Sequence, residues 1–267
     1  FAPEDVQLVA GPPALRRRYL DMTISQVDRR YLRELQRYQR VLLQRNHLLR
    51  RVSEGSAQTT ELEYWDQELA QSGAAIIVRR RGAVAVLAPQ AAAAHQRLTG
   101  GAEQLSITYH EAWEQPEAAA SERGEEGAVA AALRAALAAA LPRELGAGVS
   151  LLGPHRHDLL FTLDGRPLAT SGSRGQQRTA ALALKLAEVQ FLELSTVERP
   201  LVLLDDVLSE LDRTRRRQVL ELASSLEQAF LTVSDLEAVP QPFLASATVL
   251  QVEAGALKPL AARPQPP

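Results

Sequence analysis

Two neighbouring aspartates, Asp205 and Asp206, follow a run of four apolar residues, Leu201 to Leu204. Such a run is typical of a parallel strand covered on both faces, and ligands of parallel sheets gather at the carboxyl ends of the strands. One carboxylate there can hold the Mg²⁺ of a nucleotide, directly or through water, and a second can orient or deprotonate the attacking water. Taken alone, the run fits an ordinary core strand that ends in a polar turn equally well.

A second motif lies about thirty residues upstream. Ser171, Gly172, Ser173 and Gly175 predict a flexible loop of small residues, and from Gln176 onward apolar residues recur at helical spacing. The amides and partial positive charge of a helix N-terminus suit a phosphate, and Ser173 adds a hydroxyl donor. An ordinary capped loop has the same composition. The two motifs together, in this order, predict half of a nucleotide site.

These motifs carry a family resemblance. The residues Ser-Arg-Gly-Gln at 173–176, followed by the two aspartates and Ser-Glu-Leu-Asp, resemble the ATP-binding-cassette (ABC) ATPases of the Rad50, SMC and RecF group. Stretches 1–21, 42–49 and 153–165 resemble RecF segments in the same order. The likeness covers nearly the whole chain and is weakest in the Ala-rich and acidic middle. It implies an α/β fold, the C-terminal part of an ABC-type (Rad50/SMC-like) ATPase head with an inserted, mostly helical lid domain.

The resemblance implies a role for each motif residue. Asp205 would hold Mg²⁺ and Asp206 would have the catalytic role of orienting the attacking water, as in a Walker B motif. The signature residues, which would contact the γ-phosphate of ATP held by a second subunit, are Ser173, Arg174, Gly175 and Gln176. The D-loop residues are Ser209, Glu210, Leu211 and Asp212. Asp235 occupies the switch position, where related cassettes often carry a histidine.

The family also implies a function, that of an ATP-dependent, DNA-binding recombination mediator acting at single-strand gaps and junctions in DNA repair and replication. The expected cofactors are ATP and Mg²⁺. The expected partners are DNA, a second copy of the protein joined through ATP, RecR and RecO. The resemblance implies a weak, DNA-dependent ATPase in the complete protein, and slow turnover is consistent with Asp206 being shorter than the usual glutamate.

No GxxxxGK[ST] phosphate loop occurs in the sequence, and neither of its two lysines, Lys185 and Lys258, follows a glycine loop. The chain also begins within a segment that resembles the family's sequence after its first lobe. We therefore expect that the chain is a fragment without the Walker A region. Such a fragment is not expected to hydrolyse ATP by itself.

Composition narrows the class of protein. A chain of 267 residues predicts about two folding units, and the absence of cysteine excludes disulfides and thiolate metal sites. Apolar runs fall short of the roughly 20 residues that span a bilayer, which predicts a cytoplasmic protein with no membrane partner.

Charge is unevenly distributed. Residues 1–51 contain eleven arginines against five acidic residues, whereas residues 103–127 contain seven glutamates and one arginine and are predicted to form a solvated loop. A basic face attracts phosphate backbones, although a solvated helix face or an exposed strand edge has the same composition. The DNA-binding candidates are Arg16, Arg17, Arg45 and Arg156.

Periodicity predicts a helical block. An apolar stripe indicates a helix from about 26 to 52 that needs a partner helix, which the helical composition of 58–100 supplies. The stripe is too short for a coiled-coil arm, so a compact lid is expected. Expected breaks in the second helix are Gly73, Gly82 and Pro89. The predicted domains are 1–20, the remainder of the first ATPase lobe; 21–146, the lid; 147–258, the head with signature, Walker B and D-loop; and 259–267, a disordered tail.

Shorter elements complete the prediction. A strand is expected at 105–110 and a helix at 128–141 that ends at Pro142. Two strands are expected within 149–170, with Asp164-Gly165 as a type I′ hairpin turn. Asp212 is the expected N-cap of a helix that reaches 229, followed by a strand at 229–235 and an edge strand at 248–257.

Two other classes of protein remain open. A transporter ATPase shares both motifs, but usually carries a switch histidine and a shorter helical insert. A non-catalytic module that binds DNA or protein through the helical block is the other alternative. DNA binding that does not depend on nucleotide would favour the module.

Overall fold

The computed structural model describes residues 1–113, 124–196, 200–209 and 211–259. These residues form two compact units, Asp5–Arg199 and Phe1–Glu4 with Pro200–Pro267. The α-helices are α1 (Gln7–Ala10), α2 (Pro13–Val27), α3 (Arg29–Ser53), α4 (Leu62–Thr99), α5 (Gly124–Ala147), α6 (Leu168–Ser171), α7 (Arg174–Ser195), α8 (Arg213–Ser225) and α9 (Gln241–Ser246). The strands are β1 (Leu105–His110), β2 (Asp158–Leu163), β3 (Arg166–Pro167), β4 (Val202–Leu204), β5 (Ala229–Leu231), β6 (Leu250–Glu253) and β7 (Ala256–Pro259). Short 3₁₀ helices lie at Pro3–Val6, Thr59–Glu61 and Leu236–Ala238.

Helix α4 is the centre of the unit Asp5–Arg199. Its 38 residues extend about 57 Å at the usual helical rise, and α3, α5, α7 and β1 all pack against it. The predicted breaks are wrong, because Gly73, Gly82 and Pro89 all lie inside the helix. At Gly73 the reason is close packing: an added Cβ would lie 3.0 Å from Leu133 Cδ2 and 3.2 Å from Tyr38 Cε2. Glycine at this position therefore lets neighbouring helices approach α4.

The amphipathic stripe of α3 is confirmed. Tyr31, Tyr38 and Leu49 are buried, and α4 is the partner helix that the stripe required. Leu49 packs with Leu48 and Leu62, and Trp65 is partly buried against that cluster.

Two details of the helical prediction are wrong. Tyr64 was expected in the core, but it is 63% exposed. Helix α5 does not end at Pro142; it continues to Ala147 and is followed by Gly148, whose φ is +66°.

The strand prediction at 105–110 is confirmed. β1 pairs antiparallel with β2, from Leu105 opposite Leu163 to His110 opposite Asp158. β2 turns into β3 through Asp164 and Gly165, which have φ values of +48° and +77°, as a type I′ turn requires. Residues 149–157, which were expected to be partly strand, form turns instead.

In the other unit, β4 and β5 pair in parallel, with Leu203 opposite Phe230. The predicted parallel strand is confirmed, but its coverage on both faces is not: Val202 and Leu204 are buried, whereas Leu203 is 58% exposed. The single edge strand expected at 248–257 is instead a hairpin, in which β6 and β7 pair antiparallel. Helix α8 ends at Ser225, before the predicted 229, because the chain must extend to enter β5.

The predicted domains were defined by family motifs, whereas the two compact units are defined by contacts within the structure. The predicted domain division therefore stays a prediction. Part of the predicted acidic loop, 114–123, and nearly all of the predicted tail, 260–267, lie outside the described residues. Among the helices of the described ranges, none is both long enough and apolar enough to cross a bilayer.

The packing of α4 gives a matched pair of substitutions. Gly73→Leu should lower the free energy of unfolding by about 2 kcal/mol or more, because the new side chain overlaps Leu133 and Tyr38. Gly82→Leu is the control, since no atom lies within 4 Å of the point that a Cβ would occupy there, and it should raise stability by up to about 0.8 kcal/mol through helix propensity. Urea unfolding followed by tryptophan fluorescence, from Trp65 and Trp113, measures both. Equal effects of the two variants would contradict the packing argument.

Candidate nucleotide-binding site

The two predicted acids lie where β4 ends. Thr232, the residue after β5, lies beside them because the parallel register places Leu231 opposite Leu204. Its Oγ1 donates a hydrogen bond to Asp205 Oδ1 at 2.6 Å and accepts one from the Asp206 amide at 2.9 Å. One hydroxyl thus contacts both aspartates. Sequence reasoning missed Thr232; only the register of the two strands identifies it.

Asp206 adopts an unusual backbone conformation. Its φ is +46°, in the left-handed region that aspartate and asparagine enter more readily than other non-glycine residues. The conformation is held at both ends: Thr232 binds its amide, and Ser209 Oγ donates to its carbonyl oxygen at 3.1 Å. Glutamate enters this region less readily than aspartate, which gives a physical reason for the shorter acid.

The described residues of the predicted D-loop lie in the turn between the acids and α8. Asp212 is the N-cap of α8, as predicted, and its carboxylate accepts the amides of Thr214 and Arg215. Arg216 reaches back from α8, and its Nε donates to the carbonyl oxygen of Leu208 at 2.9 Å. Of the other predicted D-loop positions, Ser209 is exposed and Leu211 is buried, and Glu210 lies outside the described residues. The turn is therefore fixed from both sides.

The signature residues open α7, in the other compact unit. Ser173 is the N-cap of this 22-residue helix, and Ser173, Arg174 and Gly175 are exposed. The expected flexible loop is wrong in part, because Ser171 ends helix α6 and only Gly172 and the cap residue separate the two helices. At Gly172, the C-cap of α6, an added Cβ would lie 2.4 Å from Leu168 Cδ1 and 2.7 Å from the Leu168 carbonyl oxygen, so the end of α6 requires glycine.

Ser173 and Gln176 form a capping box. Ser173 Oγ accepts the Gln176 amide at 3.2 Å, and Gln176 Oε1 accepts the Ser173 amide at 2.8 Å. The remaining amide end, Gln176 Nε2, donates to Glu103 Oε1 at 2.7 Å. Both the oxygen and the nitrogen of the Gln176 side chain are therefore hydrogen-bonded within the protein. Capping uses the serine oxygen as an acceptor only, so its hydroxyl hydrogen can still be donated to a ligand.

The switch position has a local structural role. Asp235 is exposed and caps the 3₁₀ helix Leu236–Ala238 by accepting the Glu237 amide at 2.8 Å. An ionised carboxylate only accepts hydrogen bonds, so it cannot donate to a phosphate as a histidine would.

Two of the four DNA-binding candidates are buried. Arg16 forms a bidentate ion pair with Asp158, with N–O distances of 2.7 and 2.8 Å. Arg45 is completely buried between Asp66 at 2.6 Å and Glu144 at 2.7 Å. Because a buried guanidinium must be paired, both arginines have a structural explanation. Neither side chain reaches the surface, so neither is available for contact with DNA.

Arg17 and Arg156 do reach the surface. Arg17 donates to the carbonyl oxygen of His157 at 3.0 Å and lines a groove of about 470 Å³ between α2, α3 and α4. Arg156 is exposed and donates to the carbonyl oxygen of Ser150 at 3.0 Å. The two arginines hold the same connection between α5 and β2.

The histidines that flank Arg156 are structural. His155 Nδ1 lies 2.6 Å from the Tyr38 hydroxyl, and His157 Nδ1 lies 2.7 Å from the Tyr109 hydroxyl. Burial lowers the pKa of His155 to about 4 and that of His157 to about 3. Burial thus favours the neutral form of both imidazoles.

Within the ranges that the structure covers, no three His, Cys, Asp or Glu side chains gather as a metal site. Mg²⁺ bound with a nucleotide usually takes one or two carboxylates together with phosphate oxygens and water. The exposed Asp205 carboxylate at the end of a parallel strand is such a ligand.

Comparison with known proteins identifies the class. No protein-family model matches the chain. Two solved structures, described as the recombination mediator protein RecF in the RecFOR pathway with ATPrS and with ATP, superpose with TM-scores of 0.81 and 0.80. They are 33% and 32% identical to the chain, cover 98% of it, and are covered to 67% and 66% of their own length. The chain therefore has the α/β fold of the C-terminal part of an ABC-type ATPase head with a mostly helical insert, as predicted.

Curated relatives name the family. The DNA replication and repair protein RecF of Chloroflexus aggregans is 44% identical over 262 residues, which cover 96% of this chain and 66% of the relative. RecF of Heliobacterium modesticaldum is 43% identical over 258 residues, covering 96% and 68%. The chain belongs to the RecF family, and it spans about two thirds of the length of these relatives.

The conformation of Asp206 predicts which acids this position tolerates. Asp206→Asn should stay within about 0.5 kcal/mol of the parent, whereas Asp206→Glu should lose about 1 kcal/mol, because glutamate enters the left-handed region less readily. Hydrogen exchange of the backbone amides of β4, β5 and α8 measures the difference locally. Equal protection in the two variants would refute the strain argument.

The neutral histidines predict acid sensitivity. Their ordinary pKa is about 6.5, so below that pH the unfolded chain binds protons that the folded chain does not bind. The free energy of unfolding should therefore fall as the pH falls from 7.5 to 5.5, by about 1 kcal/mol for each imidazole. Urea unfolding at several pH values measures this slope.

The double variant His155→Gln, His157→Gln should flatten the pH slope even if its overall stability is lower. His47→Gln, which removes an exposed histidine, is the control for loss of an imidazole elsewhere in the chain. A double variant with the parent's slope would show that other groups cause the acid sensitivity.

Proposed function

We propose that this chain is the part of a RecF-type ATPase that supplies the signature helix, the Walker B acids and the D-loop. The observation that supports this most is that both sequence motifs take a form suited to phosphate and Mg²⁺ in a chain 44% identical to a RecF protein. Ser173 caps an exposed helix start, and Asp205 and Asp206 lie together at the end of a parallel strand. The protein's role is DNA replication and repair, as a recombination mediator at single-strand gaps and junctions.

ATP and Mg²⁺ are the cofactors that we propose for this site. Binding them would also require a P-loop, and this sequence does not contain the GxxxxGK[ST] motif of one. Bound Mg²⁺ would neutralise charge on the phosphates. Asp205 would hold the ion, directly or through water, and Asp206 would accept a hydrogen bond from the attacking water and orient it. Because aspartate is one methylene shorter than glutamate, this base would lie farther from the water and hydrolysis would be slow. The proposed dependence on DNA comes from the family.

The signature helix acts on the nucleotide of a second subunit. The Ser173 hydroxyl and the first amides of α7, at Arg174 and Gly175, are donors for a γ-phosphate, and the helix N-terminus carries partial positive charge. These donors gain most where the phosphate is shielded from water between two subunits. ATP would therefore favour the homodimer. Gln176 contributes by holding the cap in place, through its bonds to Ser173 and Glu103.

DNA and the RecR and RecO proteins are the proposed partners. Arg17 and Arg156 are the DNA-contact candidates that we retain, since both reach the surface. Binding through such arginines would weaken as salt rises. DNA binding with and without nucleotide separates this ATP-dependent mediator from a non-catalytic binding module, for which nucleotide would make no difference.

An extended protein tests these proposals. It consists of this chain preceded by the amino-terminal part of the C. aggregans relative, which ends where the alignment of the two sequences begins. We use this extended protein for every experiment that needs nucleotide.

Ser173→Arg should abolish ATP-dependent association of the extended protein, because the larger cation fills the space where a phosphate would approach the cap. Sedimentation velocity with a non-hydrolysable ATP analogue measures the dimer. Ser195→Arg, at the opposite end of the same helix, is the matched control and should associate like the parent. Normal association of Ser173→Arg would contradict the proposed contact between subunits.

A further inference from the structure

One side chain connects the two acids at the end of β4. Thr232 donates its hydroxyl hydrogen to Asp205 Oδ1 at 2.6 Å, a distance typical of a strong hydrogen bond to an ionised oxygen. The same hydroxyl oxygen accepts the amide of Asp206 at 2.9 Å. A hydroxyl has a single hydrogen, so donation to Asp205 fixes the direction in which its lone pairs point.

The backbone holds Thr232 at this position. Its amide donates to the carbonyl oxygen of Leu204 at 3.0 Å, which extends the parallel pairing of β4 and β5 by one bond. The backbone of Thr232 is therefore fixed, and its hydroxyl lies opposite Asp205. All atoms concerned belong to the same compact unit.

These contacts have two effects. The bond to Oδ1 limits rotation of the Asp205 carboxylate and leaves Oδ2 directed away from Thr232. The bond to the Asp206 amide stabilises a backbone conformation that is unfavourable for most residues with a Cβ. One hydroxyl thus sets the direction of the first acid and the backbone of the second.

We propose that Thr232 is a positioning residue, which orients Asp205 toward Mg²⁺ and holds Asp206 where it can orient water. This inference rests on the proposed nucleotide site. Thr232 itself touches neither the ion nor the phosphate. Groups that orient a metal ligand typically change metal affinity by about 10–100-fold when they are removed.

The test uses two substitutions in the extended protein. Thr232→Val keeps the branched shape and removes both hydroxyl bonds, whereas Thr232→Ser keeps the hydroxyl and removes only the methyl group. Thr248→Val, an exposed position in the same compact unit, is the control for loss of a threonine hydroxyl elsewhere. Thermal unfolding without nucleotide establishes that each variant folds.

The measurement is binding of a fluorescent, non-hydrolysable ATP analogue during a titration with Mg²⁺. In Thr232→Val, the Mg²⁺ concentration at the midpoint should rise about tenfold or more, while binding without Mg²⁺ stays at the parent value. Thr232→Ser should stay within about threefold of the parent, and Thr248→Val should match it.

Three outcomes would overturn the inference. An unchanged Mg²⁺ midpoint in Thr232→Val would show that the hydroxyl does not orient the metal ligand. An equal loss of binding with and without Mg²⁺ would assign Thr232 a purely structural role. If the parent itself bound the analogue without any dependence on Mg²⁺, the proposed metal role of Asp205 would fail together with the inference, and the parent titration alone would show this.

Discussion

A guanidinium removed from water must be surrounded by acceptors, and this constraint organises the unit Asp5–Arg199. Arg45, on α3, binds Asp66 on α4, Glu144 on α5 and the hydroxyl of Ser150. Arg80, on α4, binds Asp21 on α2 at 2.7 Å and the carbonyl oxygen of Pro154 at 2.7 Å. Both arginines thus connect the helices to the irregular segment 150–157. Its backbone N–H and C=O groups lack the regular hydrogen bonds of a helix or sheet and need other partners.

That segment connects the helices to the signature motif. It is hydrogen-bonded to Arg17, Arg45 and Arg80 and to the hydroxyls of Tyr38 and Tyr109, and then leads into β2. After the β2–β3 hairpin, the chain turns into α6 and α7, and α7 packs along α4. Replacing Arg45 would leave the buried carboxylate of Glu144 without its ion-pair partner, which usually costs more than the pair itself contributes.

Local patterns predicted most of the elements. The stripe of α3, strand β1, the Asp164-Gly165 turn and the Asp212 cap all depend on residues near one another in sequence, and the structure confirms each of them. What was missed depends on partners distant in sequence. Charge suggested that Arg16 and Arg45 were solvated, yet their acidic partners lie 142 residues away for Arg16 and 21 and 99 residues away for Arg45. Gly73 and Pro89 were expected to break α4, but packing on several sides of that helix outweighs their poor propensity.

The same distinction applies to the candidate site. The acids and the capping serine were evident from spacing, whereas Thr232 was not, because its place beside Asp205 depends on which strand is the neighbour of β4 and in which register. The left-handed conformation of Asp206 is also a property of the folded turn.

The capping box at the start of α7 has a consequence for association. Ser173 and Gln176 already hold the first turn through two reciprocal bonds, and Glu103 restrains the glutamine. An arriving anion would meet donors whose conformational entropy was lost during folding, so less of the binding free energy is consumed in ordering the loop. In the proposed ATP-dependent dimer, the preorganised turn would favour rapid and reversible association, because no segment would have to rearrange first.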